Sequence, residues 1–392
     1  MPLLCRHQLR HGREACSIAC PLTEVGDGFS FVRVEHPRDL PPADESILDV
    51  AVLDMNHGWP NMGHDLLVHA IQDAACDVVC AEPRLRVRAL SFEVRRRHML
   101  PEPPGGRFAL YVGTGGPGHL DPRRNDGSGP GSQGVLEDPA WEPRLFALFD
   151  ALLAHPEAAL VSVCHTFGVL CRWSGVAHES LRGPEKGGKS VGLLENVLSP
   201  AAIEHPWFGQ FARVLPAGGR LRIADTRLFD LLPSGDFGGA TPIGFETQGV
   251  GGPPGNAVTM IEFARDPAGV MPRMFAVNHH PEVVDRHRQL KVLHAKIARG
   301  NVSEEWVAER LRLLTEAVPR EDTDRMLHLT SDFTLLGPLR FHLYRQARRR
   351  AERLGWGPVL DEDEVPAATL AAGPGIAPAV APGFDSATEL ER

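Results

Sequence analysis

Apolar, strand-like segments that alternate with helix-like segments are the feature of this chain that most restricts its fold. Residues 47–53 form an apolar run, rich in β-branched side chains, that only Asp49 interrupts. Such a run is typical of a parallel strand buried on both faces. Asn61 then precedes apolar residues that recur at helical spacing, so it is expected to cap a helix. These segments predict a first strand–helix unit.

The alternation continues along the chain. Further strands are predicted at residues 29–34, 77–81, 108–112 and 159–163, with a helix over residues 141–153. Shorter β segments follow at residues 221–224, 257–263 and 273–277, with a hairpin turn at residues 266–269. Because strands that alternate with helices pair in parallel, we expect an α/β fold with an open, mostly parallel sheet sandwiched by helices.

The C-terminal part has a different character. A helix is predicted over residues 284–298, a second after Asn301 and Glu304, which have capping-box spacing, and a basic helix over residues 336–354. We expect the arginines of the basic helix to lie on a solvated face. We divide the chain into an N-terminal extension (1–46), a main domain (47–299), a helical appendage (300–358) and a disordered tail (359–392), whose acidic and then Ala/Pro/Gly-rich composition cannot bury enough to order itself.

Composition excludes several functional classes. The chain carries 41 Lys and Arg against 50 Asp and Glu, a net charge of -9, which argues against nucleic acid as a partner because phosphate binding needs clustered cations. We find no apolar run of about 18 residues, so no membrane segment is expected. The N-terminal residues are too polar for a signal peptide, and we expect a cytoplasmic protein.

Cysteine usage indicates reduced thiols. Seven cysteines form an odd set without repeating spacing, unlike a secreted disulfide framework. Five N-terminal residues could be metal ligands by type, but their spacing fits no zinc pattern; they are Cys5, His7, His11, Cys16 and Cys20. We therefore predict no metal and no cofactor.

The predicted strand at residues 159–163 runs directly into Cys164 and then, without a loop, into an apolar helical pattern. This is the pattern of a nucleophile elbow, in which a tight strand-to-helix turn exposes the nucleophile. Small residues two positions away, Ser162 and Thr166, allow the turn, and the helix N-terminus favours a thiolate. The N–H of His165 would face a developing oxyanion. A buried, structural Cys164 remains the alternative.

A thiolate nucleophile needs a base and a residue that orients the base. Asn278-His279-His280-Pro281-Glu282 follows the predicted strand at residues 273–277, which places His280 at the edge of the sheet where α/β proteins form their sites. Glu282, two residues later, could hold the imidazole. The same tripeptide at His155 precedes a strand, so we expect it at the opposite edge.

A glycine cluster follows the predicted strand at residues 108–112. Gly115 and Gly116 belong to a Gly-Thr-Gly-Gly-Pro-Gly segment whose main-chain N–H groups could complete an oxyanion hole. A plain turn is the alternative. A phosphate-binding loop would need a Gly-Lys-Ser/Thr, which does not follow here.

These three motifs, in this order and spacing, resemble the class I glutamine amidotransferase domain over roughly residues 47–299. The resemblance implies an open mixed sheet between helices and a triad with Cys164 as nucleophile, His280 as acid and base, and Glu282 as its orienter. It also implies an oxyanion hole from the amides near Gly116 and of His165. The triad would hydrolyse the side-chain amide of glutamine through a thioester and pass ammonia to a separate synthase.

The chain departs from the family pattern at the elbow. The family usually has Gly-x-Cys-x-Gly-x-Gln, whereas this chain has Ser162, Thr166 and, in place of the substrate-holding glutamine, Gly168. The substrate is therefore glutamine or a related γ-glutamyl or other amide. Two alternatives stay open: a catalytically silent scaffold or regulatory protein, and an acyltransferase on the same triad. A homo-oligomer is compatible with the sequence.

Overall fold

The structure is a computed structural model that describes residues 28–184, 188–216, 218–300, 302–316 and 321–356. The strands, numbered in chain order, are β1 Phe29–Val34, β2 Ile47–Asp54, β3 Arg86–Glu93, β4 Phe108–Gly113, β5 Ala159–Val163, β6 Ala177–Leu181, β7 Gly192–Leu198, β8 Arg220–Asp225, β9 Phe229–Pro233, β10 Thr241–Thr247, β11 Pro254–Arg265 and β12 Pro272–Val277.

Ten α-helices lie within the same described ranges. They are α1 Met62–Ala81, α2 Val94–Arg97, α3 Glu142–Ala154, α4 His165–Ser174, α5 Pro200–Glu204, α6 Phe208–Val214, α7 Arg286–Ala298, α8 Glu304–Glu316, α9 Glu321–Ser331 and α10 Gly337–Arg353. A π-helical turn, Asp332–Leu336, joins α9 to α10.

One ten-stranded sheet organises the fold, with strand order β1-β3-β2-β4-β5-β12-β11-β10-β7-β8. The first six strands in this order are paired in parallel, and the remaining four continue the sheet with antiparallel pairing. β6 and β9 form a separate antiparallel pair. The prediction of an α/β fold with an open, mostly parallel sheet between helices is confirmed.

Both faces of the sheet are buried. Successive residues of β2 point to opposite sides, so that Val50 and Val52 enter one apolar core and Ala51 and Leu53 enter the other. Helices α1 and α10 cover the first core, and α3 and α4 cover the second. This explains why consecutive residues from Val50 to Leu53 in β2 are all apolar.

The predicted strand at residues 77–81 is wrong. These residues are the last turns of α1, and the strand comes later, as β3. The first residues of β3 alternate between arginine and apolar residues, so the sequence shows no continuous apolar run there. Arg88 is nevertheless buried, because its Nε donates to Asp49 Oδ1 at 2.7 Å and Nη2 donates to Asp49 Oδ2 at 3.1 Å.

The predicted helix after Asn61 is confirmed as α1. The Asn61 side chain caps it by accepting a hydrogen bond from the Gly63 N–H at 2.6 Å. The strand predicted at residues 29–34 is β1, which pairs with β3 at the edge of the main sheet. The division of the chain into four segments stays a prediction, although the segment called an extension contributes this edge strand.

Helices after residue 300 pack against the same body. Leu339, Leu343 and Ala347 of α10 are buried in the first core at helical spacing. The arginines of this helix are not simply solvated: Arg340 Nε donates to Asp77 Oδ2 at 2.8 Å, and Arg345 Nη2 donates to Glu157 Oε2 at 2.6 Å. These ion pairs hold α10 on the domain.

Some predicted C-terminal features differ or lie outside the described ranges. Asn301 and the tail from residue 359 are not among the described residues. Helix α8 is capped instead by Ser303, whose Oγ accepts from the Trp306 N–H at 3.2 Å. None of the helices in the described part of the chain is long and apolar enough to cross a membrane.

Candidate active site

Cys164 lies at a strained turn between β5 and α4. Its backbone angles are φ 51° and ψ −106°, a left-handed value of φ that is costly for any residue other than glycine. The neighbouring strand makes room for the turn, because a Cβ on Gly113 would lie 2.4 Å from Thr166 Cγ2 and 2.8 Å from Ser162 Cβ. The backbone therefore has the elbow geometry that the sequence predicts, without glycines at the two flanking positions.

A polar contact fixes the start of the elbow helix. Thr166 Oγ1 donates to the carbonyl oxygen of Thr114 at 2.7 Å, which ties α4 to the loop after β4. Thr114 in turn accepts from the Met55 N–H at 2.9 Å through its own hydroxyl oxygen. The turn that carries Cys164 is thus joined to the glycine segment and to the end of β2.

His280 lies beside Cys164 because β12 pairs in parallel with β5. The register places Val277 opposite Val163, and the N–H of Cys164 donates to the Val277 carbonyl oxygen at 2.7 Å. The N–H of His280 then donates to the Ala224 carbonyl oxygen at 2.8 Å, which anchors the imidazole at the carboxyl end of the sheet. Nucleophile and candidate base are brought together by adjacent strands.

The imidazole of His280 has two side-chain partners of catalytic interest. Its Nδ1 lies 2.7 Å from Oε1 of Glu282, and the ring is hydrogen-bonded to the side chain of Cys164. Burial alone would lower the pKa of His280, but the charges of Glu282 and Cys164 outweigh burial and hold the pKa well above its usual value. Glu282 and Cys164 together therefore favour the protonated imidazole of His280.

Glu282 is held in a position closed to solvent. Its side chain is 0% exposed, and the start of α1 packs directly on it, because a Cβ on Gly63 would lie 2.8 Å from Glu282 Oε1 and 3.6 Å from His280 Nδ1. The other carboxylate oxygen, Oε2, has no side-chain or main-chain partner among the described residues. The position of this carboxylate therefore depends on the bare backbone of Gly63.

The glycine cluster borders the reacting groups. A Cβ on Gly115 would lie 3.2 Å from His280 Cε1 and 3.7 Å from Cys164 Sγ. Gly116 is packed against the residue that follows β2, since its Cβ would lie 2.2 Å from the Met55 carbonyl oxygen. The buried imidazole of His165 is hydrogen-bonded to the Gly116 backbone, and burial, followed by the charge of Arg95, lowers the pKa of His165 well below its usual value. A neutral His165 ties the two proposed oxyanion segments together.

Gly168 faces an apolar side chain. A Cβ at this position would lie 2.4 Å from Leu120 Cδ1 and 2.5 Å from Leu120 Cδ2. Leu120 belongs to the long loop after the glycine cluster. The space that a side chain at position 168 would need is therefore already filled.

The second His-Pro-Glu tripeptide lies at the opposite edge of the sheet, as its position before β5 predicts. The carbonyl oxygen of His155 accepts from Nη1 of Arg273 at 3.2 Å, and Arg273 is near the beginning of β12. Glu157 is paired with Arg345 of α10. These contacts stabilise the packing of α3, β12 and α10.

Sequence reasoning missed one partner of His280. Thr226 Oγ1 lies 2.9 Å from His280 Nε2, in the loop that follows β8. No motif marks this threonine, and only the sheet order, in which Ala224 receives the His280 N–H, brings it to the site. A cavity of about 530 Å³ opens beside these two residues.

The described residues contain no group of three His, Cys, Asp or Glu side chains arranged to hold a metal ion. Cys5, Cys16 and Cys20 lie outside the described ranges. The described thiols are Cys76, Cys80, Cys164 and Cys171, and no disulfide bond joins any two of them.

No family model and no curated protein matches this chain. Among solved structures, it is similar to a protein assigned to GMP synthase from Thermoplasma acidophilum, with a TM-score of 0.37 and 11% identity over 64% of this chain and 98% of that one. It is also similar to a ThuA-like protein from Bacteroides uniformis, with a TM-score of 0.33 and 9% identity over 69% of this chain and 96% of that one. Likeness at this level carries no argument about activity.

Proposed function

We propose that this protein is a thiol enzyme that cleaves an amide, glutamine or a related γ-glutamyl amide, through a thioester on Cys164. The observation that carries the proposal is the hydrogen-bonded series Glu282, His280 and Cys164, with the cysteine on a strained elbow. A nucleophile, a base and a group that orients the base form the minimal set for this chemistry.

The roles follow from the contacts. Since Nδ1 of His280 is bound to Glu282, Nε2 is the nitrogen that exchanges a proton with the thiol. The thiolate attacks the amide carbonyl, and main-chain N–H groups of Gly116 and His165 stabilise the oxyanion. His280 then protonates the leaving ammonia, and the thioester is cleaved by water, whose proton returns through His280 to Sγ. Glu282 stabilises the imidazolium throughout.

Leu120 bears on the identity of the substrate. In the family that the sequence resembles, a glutamine side chain follows the elbow. Here that position is Gly168, and the Leu120 side chain fills the space beside it. An apolar contact cannot replace an amide as a hydrogen-bonding partner. We therefore expect weaker selection for free glutamine, and an amide with an apolar portion is the better candidate. If ammonia is transferred onward, a separate synthase is the partner that the resemblance implies.

The test is covalent trapping with a diazo-ketone glutamine mimic, followed by intact-mass measurement. We expect one adduct on the wild type and none on Cys164→Ala. Cys171→Ala is the matched control, because Cys171 is fully buried, burial raises its pKa well above its usual value, and its loss should leave the adduct intact. A wild type that reacts with iodoacetamide but not with the mimic indicates a pocket for another acyl group. A Cys164 that reacts with neither contradicts the proposal and favours a silent protein.

A further inference from the structure

A cavity lies next to His280 and is separate from the wall around the cysteine. Its volume is about 530 Å³, in the range of small-molecule sites. His280 and Thr226 line it, whereas Cys164 and Gly115 do not. The imidazole therefore borders two spaces, one that contains the thiol and one that other elements of the fold enclose.

The wall of this cavity is mostly apolar. Its apolar side chains come from α1, β7, α8, α9 and the segment before α7; they include Leu66, Leu193, Val284, Trp306, Leu314 and Leu327. Removing apolar surface from water is favourable in proportion to its area. The wall therefore favours a ligand that brings an apolar group to it.

The buried charged groups of the wall are already paired within the protein. Asp225 Oδ2 accepts from Ser190 Oγ at 2.7 Å and lies 3.2 Å from Arg227 Nε. Its Oδ1 has no hydrogen-bond partner among the described residues, but this atom is shielded from solvent and so is closed to a ligand as well. His280 is paired with Glu282. Neither buried group requires an opposite charge from the ligand.

Two arginines of the wall lie nearer to solvent. Arg286 is exposed, and Arg310 lies 5.4 Å from the centroid of the Trp306 ring. Solvent and salt screen such charges. Recognition in this cavity therefore depends on apolar contact more than on charge.

The two spaces meet at Nε2 of His280. This nitrogen serves the thiol, since Nδ1 is bound to Glu282, and it also lies 2.9 Å from the Thr226 hydroxyl oxygen in the cavity wall. An imidazole that protonates a leaving nitrogen must lie within hydrogen-bonding distance of it. The nitrogen of an amide under attack by Cys164 is thus beside Nε2, and a group bonded to that nitrogen on the Thr226 side enters the cavity.

We propose that the substrate is a secondary amide whose nitrogen carries an apolar group of several carbons, and that this group occupies the cavity while Cys164 attacks the carbonyl carbon. The inference rests on the proposed thioester and names its leaving group. The Sγ–C bond forms, and the C–N bond breaks as His280 gives its proton to the nitrogen. A primary amine leaves. Water then cleaves the thioester to a carboxylic acid, and one proton of that water returns through His280 to Sγ.

Binding is tested first and without chemistry, by titrating neutral amides into the full chain carrying Cys164→Ala in a calorimeter. The probes are N-hexylacetamide and N-methylacetamide, which differ only in the length of the apolar group on nitrogen. We expect one saturable site for the hexyl compound and at least tenfold weaker binding of the methyl compound. Absence of saturable hexyl binding, or equal affinity for the two compounds, overturns the proposal.

Variants of the wall show whether the hexyl group binds in this cavity. Leu193→Trp, which fills the cavity, should weaken the hexyl compound at least tenfold. Trp306→Ala, which removes an aromatic wall at a half-buried position, should weaken it at least threefold. Val270→Trp, in the hairpin between β11 and β12, is the control and should not change it. Thermal unfolding identifies a variant that does not fold. If folded Leu193→Trp and Trp306→Ala both bind the hexyl compound as before, the proposed location is wrong.

The position of the bound group relative to the thiol is tested with the protein that retains Cys164 and two labels, N-hexylchloroacetamide and N-methylchloroacetamide. The S–C bond forms as chloride leaves, and peptide mapping by mass spectrometry gives the rate at Cys164 alone. We expect the hexyl label to react at least tenfold faster at concentrations below saturation. The ratio of the two rates should fall at least fivefold in Leu193→Trp and stay unchanged in Val270→Trp.

The outcomes separate this inference from the proposed function. Equal rates for two labels that both modify Cys164 overturn the leaving-group role and leave the thiol enzyme intact. If neither label modifies Cys164, the proposed thioester fails and the leaving-group role falls with it. Calorimetry then still decides whether the cavity binds an apolar amide.

Discussion

Leu120 occupies the space above Gly168, with its two methyl groups 2.4 and 2.5 Å from where a Cβ would stand. Gly168 lies inside α4, where glycine is intrinsically unfavourable. The glycine therefore serves to admit the leucine, and the two residues should be coupled in stability.

We expect Gly168→Ala to lower the free energy of unfolding by about 1–3 kcal/mol, because the new methyl group overpacks against Leu120. In a Leu120→Ala background the clash is absent, and the same substitution should instead stabilise the protein by about 1 kcal/mol through helix propensity. Urea unfolding of the four proteins of this cycle measures the coupling. Additive effects would show that the two side chains do not compete for space.

Glu282→Gln should leave the fold intact and lower the reactivity of the Cys164 thiol. The amide has the same shape as the carboxylate but no charge, so the pKa of His280 should fall and the imidazole should assist the Cys164 thiol less well. We expect turnover to fall by roughly 10²–10⁴, the scale for loss of an orienting carboxylate. The measurement is the iodoacetamide reaction rate of Cys164 against pH. Glu309→Gln, at a half-exposed position, is the control, and an unchanged profile in Glu282→Gln would contradict its role.

Gly63→Ala should displace the Glu282 carboxylate, although Gly63 itself lies in α1 and not among the proposed catalytic residues. The added methyl group would stand 3.0 Å from Asn61 Oδ1 and 2.8 Å from Glu282 Oε1. The second distance is shorter than real Cβ contacts, so the carboxylate must move away from the imidazole. We expect Gly63→Ala to lower both the alkylation rate of Cys164 and the stability of the fold. The fall in rate should be at least as large as the loss of folded protein predicts.

Gly239→Ala is the matched change, since a Cβ there meets nothing within 4 Å. Alkylation rates and thermal unfolding, measured side by side, separate the two effects. If Gly63→Ala reacts as fast as Gly239→Ala, the packing of α1 on Glu282 has no part in activating the thiol.

Acid should destabilise the protein through its buried, neutral histidines. Burial lowers the pKa of His342 from 6.5 to about 4, so below about pH 6.5 the unfolded chain takes up a proton that the native chain does not. Stability is therefore lost as pH falls from 6.5 toward 4, and this residue alone accounts for about 2 kcal/mol between about pH 7 and about pH 5.

His342→Gln should keep a donor for the Pro272 carbonyl oxygen, which His342 Nε2 contacts at 2.9 Å, and remove this titration. Urea unfolding at several pH values should show that the variant loses about 2 kcal/mol less than the wild type over that interval. His279, whose pKa burial lowers to about 3, contributes in the same direction and leaves a residual slope. An unchanged slope in His342→Gln would contradict a neutral, buried His342.

The parts of the fold that local pattern determines could be predicted from the sequence. β2, β4, β5 and β12 are mostly apolar runs, and the cap at Asn61 is a local signal. β3 could not be found in this way, because the burial of Arg88 depends on Asp49, a partner from another strand. Residue propensities predict this strand several residues too early, at the end of α1.

The residues of the candidate site also fall into two groups, those that local pattern predicts and those that depend on distant segments. Cys164, His280 and Glu282 each follow a readable strand, and their order along the chain is informative. Thr226 and Gly63 reach His280 only through the order of strands in the sheet and the packing of α1. Their roles depend on contacts between distant segments, and a single sequence carries no local signal for such contacts.

The parallel pairing of β5 with β12 has a consequence for the protein during its synthesis on the ribosome. β12 is the last strand among the described residues but lies at the centre of the sheet, between β5 and β11. During synthesis Cys164 leaves the ribosome long before its neighbouring strand and His280 exist. Because contacts between distant segments form late, the function proposed for Cys164 would require β12 to be made and paired first. Under the proposed function, Cys164 would gain its base only in the completed sheet, and an incomplete chain that lacks β12 would not form the thioester.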